Sequence, residues 1–314
     1  MIFMKKSFNP INPEKKLSKS PFLFFLVILF VSLNAMAQEE EKKEGEKKEE
    51  VSKPAKPAFE SAQLMDEQSV VVPSKKTLEF NMQHRFGTVD NGVKDLFGVY
   101  GTANIRLGFS YAPINNLSLG FGFTKLNKYV DVNAKYSILK QRKDNSMPVS
   151  ISIFGNAVMD TRAKSFFPKD VYRMSYFGEL IIASRITPKI SLQLSPSYSH
   201  FNAADSLYKN DIIAIGFSAR YKFSPQSSVM FNYTQQLTKH SDPNFKLTPG
   251  ITVGWEIATS AHCFQMFATT FSSILPQHNI SYTGEIKPSS GPYQGVFSTN
   301  KFLIGFNITR LWSF

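Results

Sequence analysis

The stretch Ile190–Ser199, ISLQLSPSYS, decides the fold. Ile190, Leu192, Leu194, Pro196 and Tyr198 alternate with Ser191, Gln193, Ser195, Ser197 and Ser199. A period of two sends one set to each face of a β-strand. Leu117–Thr124 repeats the pattern, with Leu117, Leu119, Phe121 and Phe123 set against Ser118, Gly120, Gly122 and Thr124. Ile251–Ala258 does so again, with Ile251, Val253, Trp255 and Ile257 on the apolar side.

Working outward, twelve such segments follow one another: 77–86, 103–111, 117–125, 129–139, 148–157, 174–186, 190–201, 211–223, 227–236, 248–258, 262–273 and 301–314. Most are longer than the roughly 5–6 residues of an ordinary globular strand. They match the roughly 9–11 residues that a tilted strand needs to cross a bilayer. Short turns such as Thr187-Pro188-Lys189 and Ser224-Pro225-Gln226 alternate with longer loops, except at 126–128. An even strand count with short turns at one end and long loops at the other is the outer-membrane arrangement. The predicted fold is therefore all-β: a single 12-stranded, antiparallel, up-and-down transmembrane β-barrel over residues 77–314. The C-terminal strand carries Phe302, Ile304, Phe306, Ile308, Trp312 and a terminal Phe314 on one face, interrupted by Arg310. Phe306, Ile308, Trp312 and Phe314 resemble the segment that barrel-assembly machinery reads. A soluble secreted sandwich is the competing fold. It would need shorter strands and one shared dry core.

Upstream of the barrel, Lys5, Lys6, Lys15, Lys16 and Lys19 precede the apolar run PFLFFLVILFVSL (21–33) and the small-residue site Asn34-Ala35-Met36-Ala37. This reads as a signal peptide over 1–37, too short in its apolar part to span a bilayer as a helix. Residues 38–60 are a Lys/Glu tract running into Pro-rich sequence. Such a segment cannot bury apolar surface, and it reads as a charged, disordered periplasmic tether. Residues 61–76, SAQLMDEQSVVVPSKK, form an N-terminal segment able to fold inward as a plug, and the loop 274–300 is a second candidate. Both mature termini are expected on the periplasmic side of the outer membrane.

The chain has 314 residues, 36 Lys+Arg against 24 Asp+Glu, and a net charge of +12. That balance first suggests nucleic acid. However, the charge is spread without a dense block, and the chain reads as exported, so no nucleic-acid partner is expected. Its partners are outer-membrane lipid, the assembly machinery and a small solute. An aromatic share of 14% suits a lipid-facing wall. One Cys excludes an intramolecular disulfide framework.

If the apolar set faces lipid, the other set lines the lumen. It contains Glu79, Arg85, Arg106, Asp131, Lys135, Glu179, Arg185, Arg220, Lys222 and Glu256. The mixed signs fit either structural ion pairs filling a narrow barrel or a pore with a slight preference for anions. No HExxH, CxxC or GxSxG occurs, and none of the five His is followed two residues later by Ser. No catalytic residue, metal ligand or cofactor is therefore assigned, and no enzymatic activity is expected.

Residues 59–113, beginning FESAQLMDEQSVVVPSKKTLEFNMQHRFGTVDNG, resemble the start of the DUF5777 family, β-barrel proteins of Bacteroidota outer membranes. FGFTKLNKYVDVNAKYSIL (121–139), ISLQLSPSYSH (190–200), AHCFQMF (261–267) and FLIGFNITR (302–310) extend the resemblance across 59–314. It implies fold and location but no activity. The recurring residues that it places here are Gln83, His84, Arg85, Phe86, Gly87, Asn104, Arg106, Lys135, Tyr136, His262, Phe264 and Gln265.

Three functions stay open: a passive or gated channel for a small, anion-leaning solute; a plugged structural barrel presenting its tether to a partner; and, least supported, an outer-membrane hydrolase. N-terminal sequencing of the exported protein should begin at Gln38. An uncut chain would mean that the apolar run is kept as an anchor.

Overall fold

The computed structural model describes residues 53–204, 209–239, 245–281, 284–286 and 302–314. The expected signal peptide, residues 38–52 of the expected tether and most of loop 274–300 lie outside the described residues. The strands are β1 (Thr77–Thr88), β2 (Asn104–Ile114), β3 (Leu117–Thr124), β4 (Tyr129–Leu139), β5 (Ser150–Asp160) and β6 (Met174–Arg185). They continue as β7 (Ile190–Phe201), β8 (Asp211–Lys222), β9 (Ser227–Gln236), β10 (Gly250–Ala258), β11 (His262–Thr269) and β12 (Leu303–Ser313). Each pairs antiparallel with the next, and β12 closes onto β1, from Ser313 opposite Thr77 to Leu303 opposite Thr88. The register slips once in this seam, between Leu303 and Gly305.

Closure satisfies the wall's amides and carbonyls, which water cannot do at membrane depth. The chain ends meet at one rim, where the Phe314 amide donates to the Lys76 carbonyl at 3.1 Å. Here this is called the near rim. It carries the tight connections, including the Asn115-Asn116 turn, where Asn116 takes a left-handed φ of 73°. Asn tolerates that region through its short polar side chain. The far rim carries the longer loops and the short 3-10 turn Leu126–Lys128.

The burial pattern is inside out. Along β1 the buried residues are Thr77, Glu79, Asn81, Gln83 and Arg85, while Leu78, Phe80 and Met82 between them face outward, half-buried. Elsewhere the outer wall exposes Leu119, Phe121, Val132, Ile213, Phe231 and Val253. An apolar band of this extent requires lipid rather than water against it. Arg310 lies on this outer face near the rim, 5.0 Å above the Trp312 ring and 2.8 Å from His262 Nε2. Phe306 and Ile308 lie on the same face, and Phe314 is exposed at the rim.

The lumen is not uniformly polar, which the alternation pattern did not foresee. Phe154, Phe177, Ile181, Ile212, Met230 and Phe267 turn inward and join one buried cluster with Phe59, Leu64, Met65 and Val70 of the N-terminal segment. Each such side chain contributes about 1.5–3 kcal/mol by leaving water. The strand expected over 262–273 ends at Thr269. Beyond it, buried Phe271, Ile274 and Leu275 lead into helix α1 (Pro276–Ser281).

Val132 lies on β4 with its side chain on the outer face, 58% exposed. Val132→Arg places a charge in hydrocarbon and should destabilise the barrel by about 2–4 kcal/mol if Val132 sits at the midplane. Denaturant unfolding in lipid vesicles measures this.

Candidate functional site

The lumen holds a re-entrant hairpin built from the segment before β1. It starts at the near rim, where Pro54 bridges Arg142 and the Ala55 amide donates to the Gln141 carbonyl at 2.8 Å. The chain runs inward and turns at Met65-Asp66, between Gln63–Leu64 and the antiparallel Glu67–Gln68. Met65 takes a left-handed φ of 51°. The chain then returns to the near rim, where the Lys76 amide donates to the Ala112 carbonyl at 2.7 Å.

The wall grips this hairpin largely by its main chain. Gln265 bonds the Gln63 carbonyl at 2.8 Å and the Met65 amide at 3.0 Å. Asn232 donates to the Leu64 carbonyl at 2.7 Å, and Asn307 to the Met65 carbonyl at 2.8 Å. Gln193 bonds the Gln68 carbonyl and the Val70 amide at 2.7 and 3.2 Å. Lys135 Nζ donates to the carbonyls of Ala62 and Ser69 at 2.7 and 3.0 Å. A buried strand end needs such partners, because an unmade bond costs about 1–3 kcal/mol.

The charges predicted for the lumen do turn inward, but many of them meet the hairpin rather than one another. Glu79, Arg85, Asp131, Lys135, Glu179, Arg220 and Glu256 are buried. Arg106, Arg185 and Lys222 are half-buried. Only Arg106–Asp131, at 2.7 Å, and Arg220–Glu256, at 3.6 Å, are ion pairs within the predicted set. The Arg106 guanidinium lies over Gly108 and Gly122, where any Cβ would come within 2.5 Å of it. Arg185 sits at the near rim and donates to the Pro188 carbonyl at 3.0 Å. Arg85 pairs with Asp66 at 2.6 Å, and Lys222 with Glu60 at 2.7 Å. Arg220 also reaches Glu60, at 3.5 Å.

Glu60, Asp66 and Glu67 are therefore interior charges absent from the sequence-derived set. Their signal was present: 58–72 contains these three acids and no Lys or Arg. Burial by itself pushes the Glu60 carboxyl up, but the Lys222 hydrogen bond and the Arg220 charge outweigh it and hold it low. Glu67 differs. Burial pushes its carboxyl up to about 7, against a hydrogen bond from Thr234 and helped by the Asp66 charge.

The hairpin does not use the whole wall. Between it and the wall lies a small cavity of about 50 Å³, open in part to solvent. It is lined by Glu79, Asn81, Gln83, Arg106, Asn133 and Asn156, among others. Asn81 Oδ1 and Asn156 Oδ1 are buried there without a protein hydrogen-bond partner. At the far mouth α1 caps the lumen, with His278 stacked on Tyr129 at 4.5 Å and edge-on to Phe201 at 5.3 Å. Among the described residues, no cluster of three or more His, Cys, Asp or Glu is arranged to hold a metal ion. The Cys263 thiol is buried, donating to Glu256 at 3.4 Å and sharing a hydrogen bond with the Ser61 hydroxyl.

The family described as "Membrane bound beta barrel domain (DUF5777)" matches residues 59–312. No curated protein matches the chain. Among solved structures, the KdgM porin aligns at 9% identity with a TM-score of 0.44, over 74% of this chain and 98% of that one. An outer membrane channel from Pseudomonas putida F1 aligns at 10% identity with a TM-score of 0.49, over 77% of this chain and 97% of that one.

Glu67 makes hairpin docking pH-dependent. Below its ordinary value of 4.5, both the docked and the free hairpin carry the proton. Between 4.5 and about 7 only the docked form keeps it, so docking weakens as pH rises through that window. Amide exchange over residues 61–70, corrected for its intrinsic pH dependence, should rise from pH 5 to 8 in the native chain. In Glu67→Gln this added rise should vanish.

Proposed function

The chain belongs to the DUF5777 family of membrane-bound β-barrel domains, and from that premise we propose that it is an outer-membrane channel gated by its own N-terminal hairpin. Export by the signal peptide, insertion by the barrel-assembly machinery and periplasmic placement of the near rim belong to the same reading. One observation carries it. A polar wall, from Glu79 to Asn156, lines a small cavity between itself and the hairpin, and Asn81 Oδ1 and Asn156 Oδ1 have no protein partner there. A barrel serving only as an anchor gains nothing from such a wall, because unpaired polar groups cost stability.

The hairpin also suits a gate. Most of the neutral bonds that the wall makes to it go to main-chain groups, each worth only about 0.5–1.5 kcal/mol net, beside the charge-assisted bonds of Asp66 and Glu60 to Arg85 and Lys222. The apolar cluster around Phe59, Leu64 and Met65 holds the docked state. When the hairpin withdraws, Glu60, Asp66 and Glu67 leave with it. The wall then presents six bases, Arg85, Arg106, Lys135, Arg185, Arg220 and Lys222, against four acids, Glu79, Asp131, Glu179 and Glu256. That excess favours a small anionic solute. The charged tether of residues 38–60 gives a periplasmic partner a handle on the hairpin.

Planar-bilayer recording tests the gate. The full chain should conduct rarely, whereas deletion of residues 58–70 should give steady, anion-biased conductance. Ser61→Cys places a second thiol against Cys263, so oxidation should lock the channel shut and reductant should release it. A deletion variant that keeps the heat-modifiable gel mobility of a folded barrel and still does not conduct would favour the anchoring role instead.

A further inference from the structure

Asp66, at the hairpin tip, has both carboxylate oxygens bonded by donors from the wall. Its Oδ1 accepts from Arg85 Nη2 at 2.6 Å and Nε at 3.2 Å. Its Oδ2 accepts from the Thr252 and Thr269 hydroxyls, each at 2.7 Å. The two side chains of the ion pair are 1% and 0% exposed, so bulk water does not contribute. Charge-assisted bonds in such a place are among the strong ones.

These donors also contact one another and other groups of the wall. Arg85 Nη1 donates to the His84 carbonyl at 2.9 Å and to Asn307 Oδ1 at 3.1 Å. The guanidinium lies 4.5 Å from the centre of the Phe267 ring. Gly305 leaves the room for this stack, since a Cβ there would sit 2.6 Å from Phe267 and 3.0 Å from Arg85. Thr252 and Thr269 are cross-strand partners, with hydroxyls 2.8 Å apart. Four donor groups from three wall residues thus converge on one carboxylate, with Arg85 also held by wall contacts, which is the arrangement of a preorganised receptor.

We propose that Arg85, Thr252 and Thr269 form a carboxylate-binding site of the open lumen, and that Asp66 fills it as a tethered stand-in for a carboxylate solute. The inference rests on the gated-channel reading in that it names the solute class of that lumen. The donors fall on two oxygens, two on each, as a carboxylate presents them. A sulfate or phosphate would bring further oxygens that these four donors do not meet. Chloride would engage one point of a site built for two.

Chemical rescue in the full-length chain tests the site without recording current. Asp66→Ala leaves Arg85 buried without its acid and should lower the melting temperature in detergent. Acetate or formate should restore it in a saturable manner, while chloride and sulfate at equal ionic strength should not. Adding Arg85→Met to Asp66→Ala should weaken the acetate effect about ten- to a hundredfold, the size of a lost charge-assisted bond. Equal rescue of both variants, or rescue by chloride, would overturn the site. If Asp66→Ala does not fold, the native chain gives a second readout. Cys263 lies beneath Ser61, so withdrawal of the hairpin exposes it to a thiol reagent. Acetate should speed this labelling by competing with Asp66, and no change in rate would overturn the proposal. Silent bilayers with successful rescue would remove the channel and keep the site. Conducting bilayers without rescue would do the reverse.

Discussion

The constraint on which the molecule depends is that no amide or carbonyl of the wall is left unpaired. The seam between β12 and β1 meets it by pairing Ser313 with Thr77 and continuing to Leu303 and Thr88. Once the wall is closed, the period of two does the rest. One alternate set faces lipid and must be apolar, and the other faces inward, so charges such as Glu79, Arg85 and Lys135 are sealed inside the barrel. Sealed charges need partners. A barrel of twelve strands is wider than the roughly eight-stranded barrels whose own side chains fill the interior. The wall therefore cannot satisfy its charges by itself, and the chain brings in a second layer.

That layer is the hairpin, and its chemistry complements the wall in two ways. On one side it adds Phe59, Leu64, Met65 and Val70 to a dry cluster with Phe177, Ile181 and Ile212. Along its length and at its tip it brings acids to Arg85, Arg220 and Lys222. The same short segment therefore provides both a hydrophobic anchor and counter-ions. It does not satisfy the buried side-chain oxygens of Asn81 and Asn156. The interior of the barrel is divided into a packed half and a polar half, which a uniform pore or a uniform plug would not show.

The wall was legible in the sequence because alternation is a local property. The spans 129–139, 190–201 and 227–236 were read with the bounds that the strands have. The misreading of 262–273 has a physical cause. Phe271, Ile274 and Leu275 continue the apolar count after Thr269, but they do so because they enter a dry interior, not because they face lipid. The same ambiguity hid Phe154 and Phe177, since β5 and β6 carry apolar residues on both faces. The charged lining was legible residue by residue. The pairing was not: Arg85 and Asp66 lie nineteen positions apart on different elements, and only the inward path of the hairpin brings them together.

A tethered ligand sets its own competition. Asp66 is linked to β1 by the short segment ending at Lys76, so its effective concentration at Arg85 is on the order of millimolar or above. A free carboxylate that binds only the undocked state shifts the gate by no more than its own occupancy of that state allows. Trace solute would therefore leave the hairpin docked, and a solute concentration comparable with the tethered one would be needed to displace it. Docking also uses the apolar cluster, which adds to the advantage of the hairpin without adding to the specificity of the site. In the proposed channel Phe59, Leu64 and Met65 contribute to docking alone, whereas Arg85, Thr252 and Thr269 contribute both to docking and to recognition of the solute. Changes in one set can then tune how readily the lumen opens without altering what it recognises.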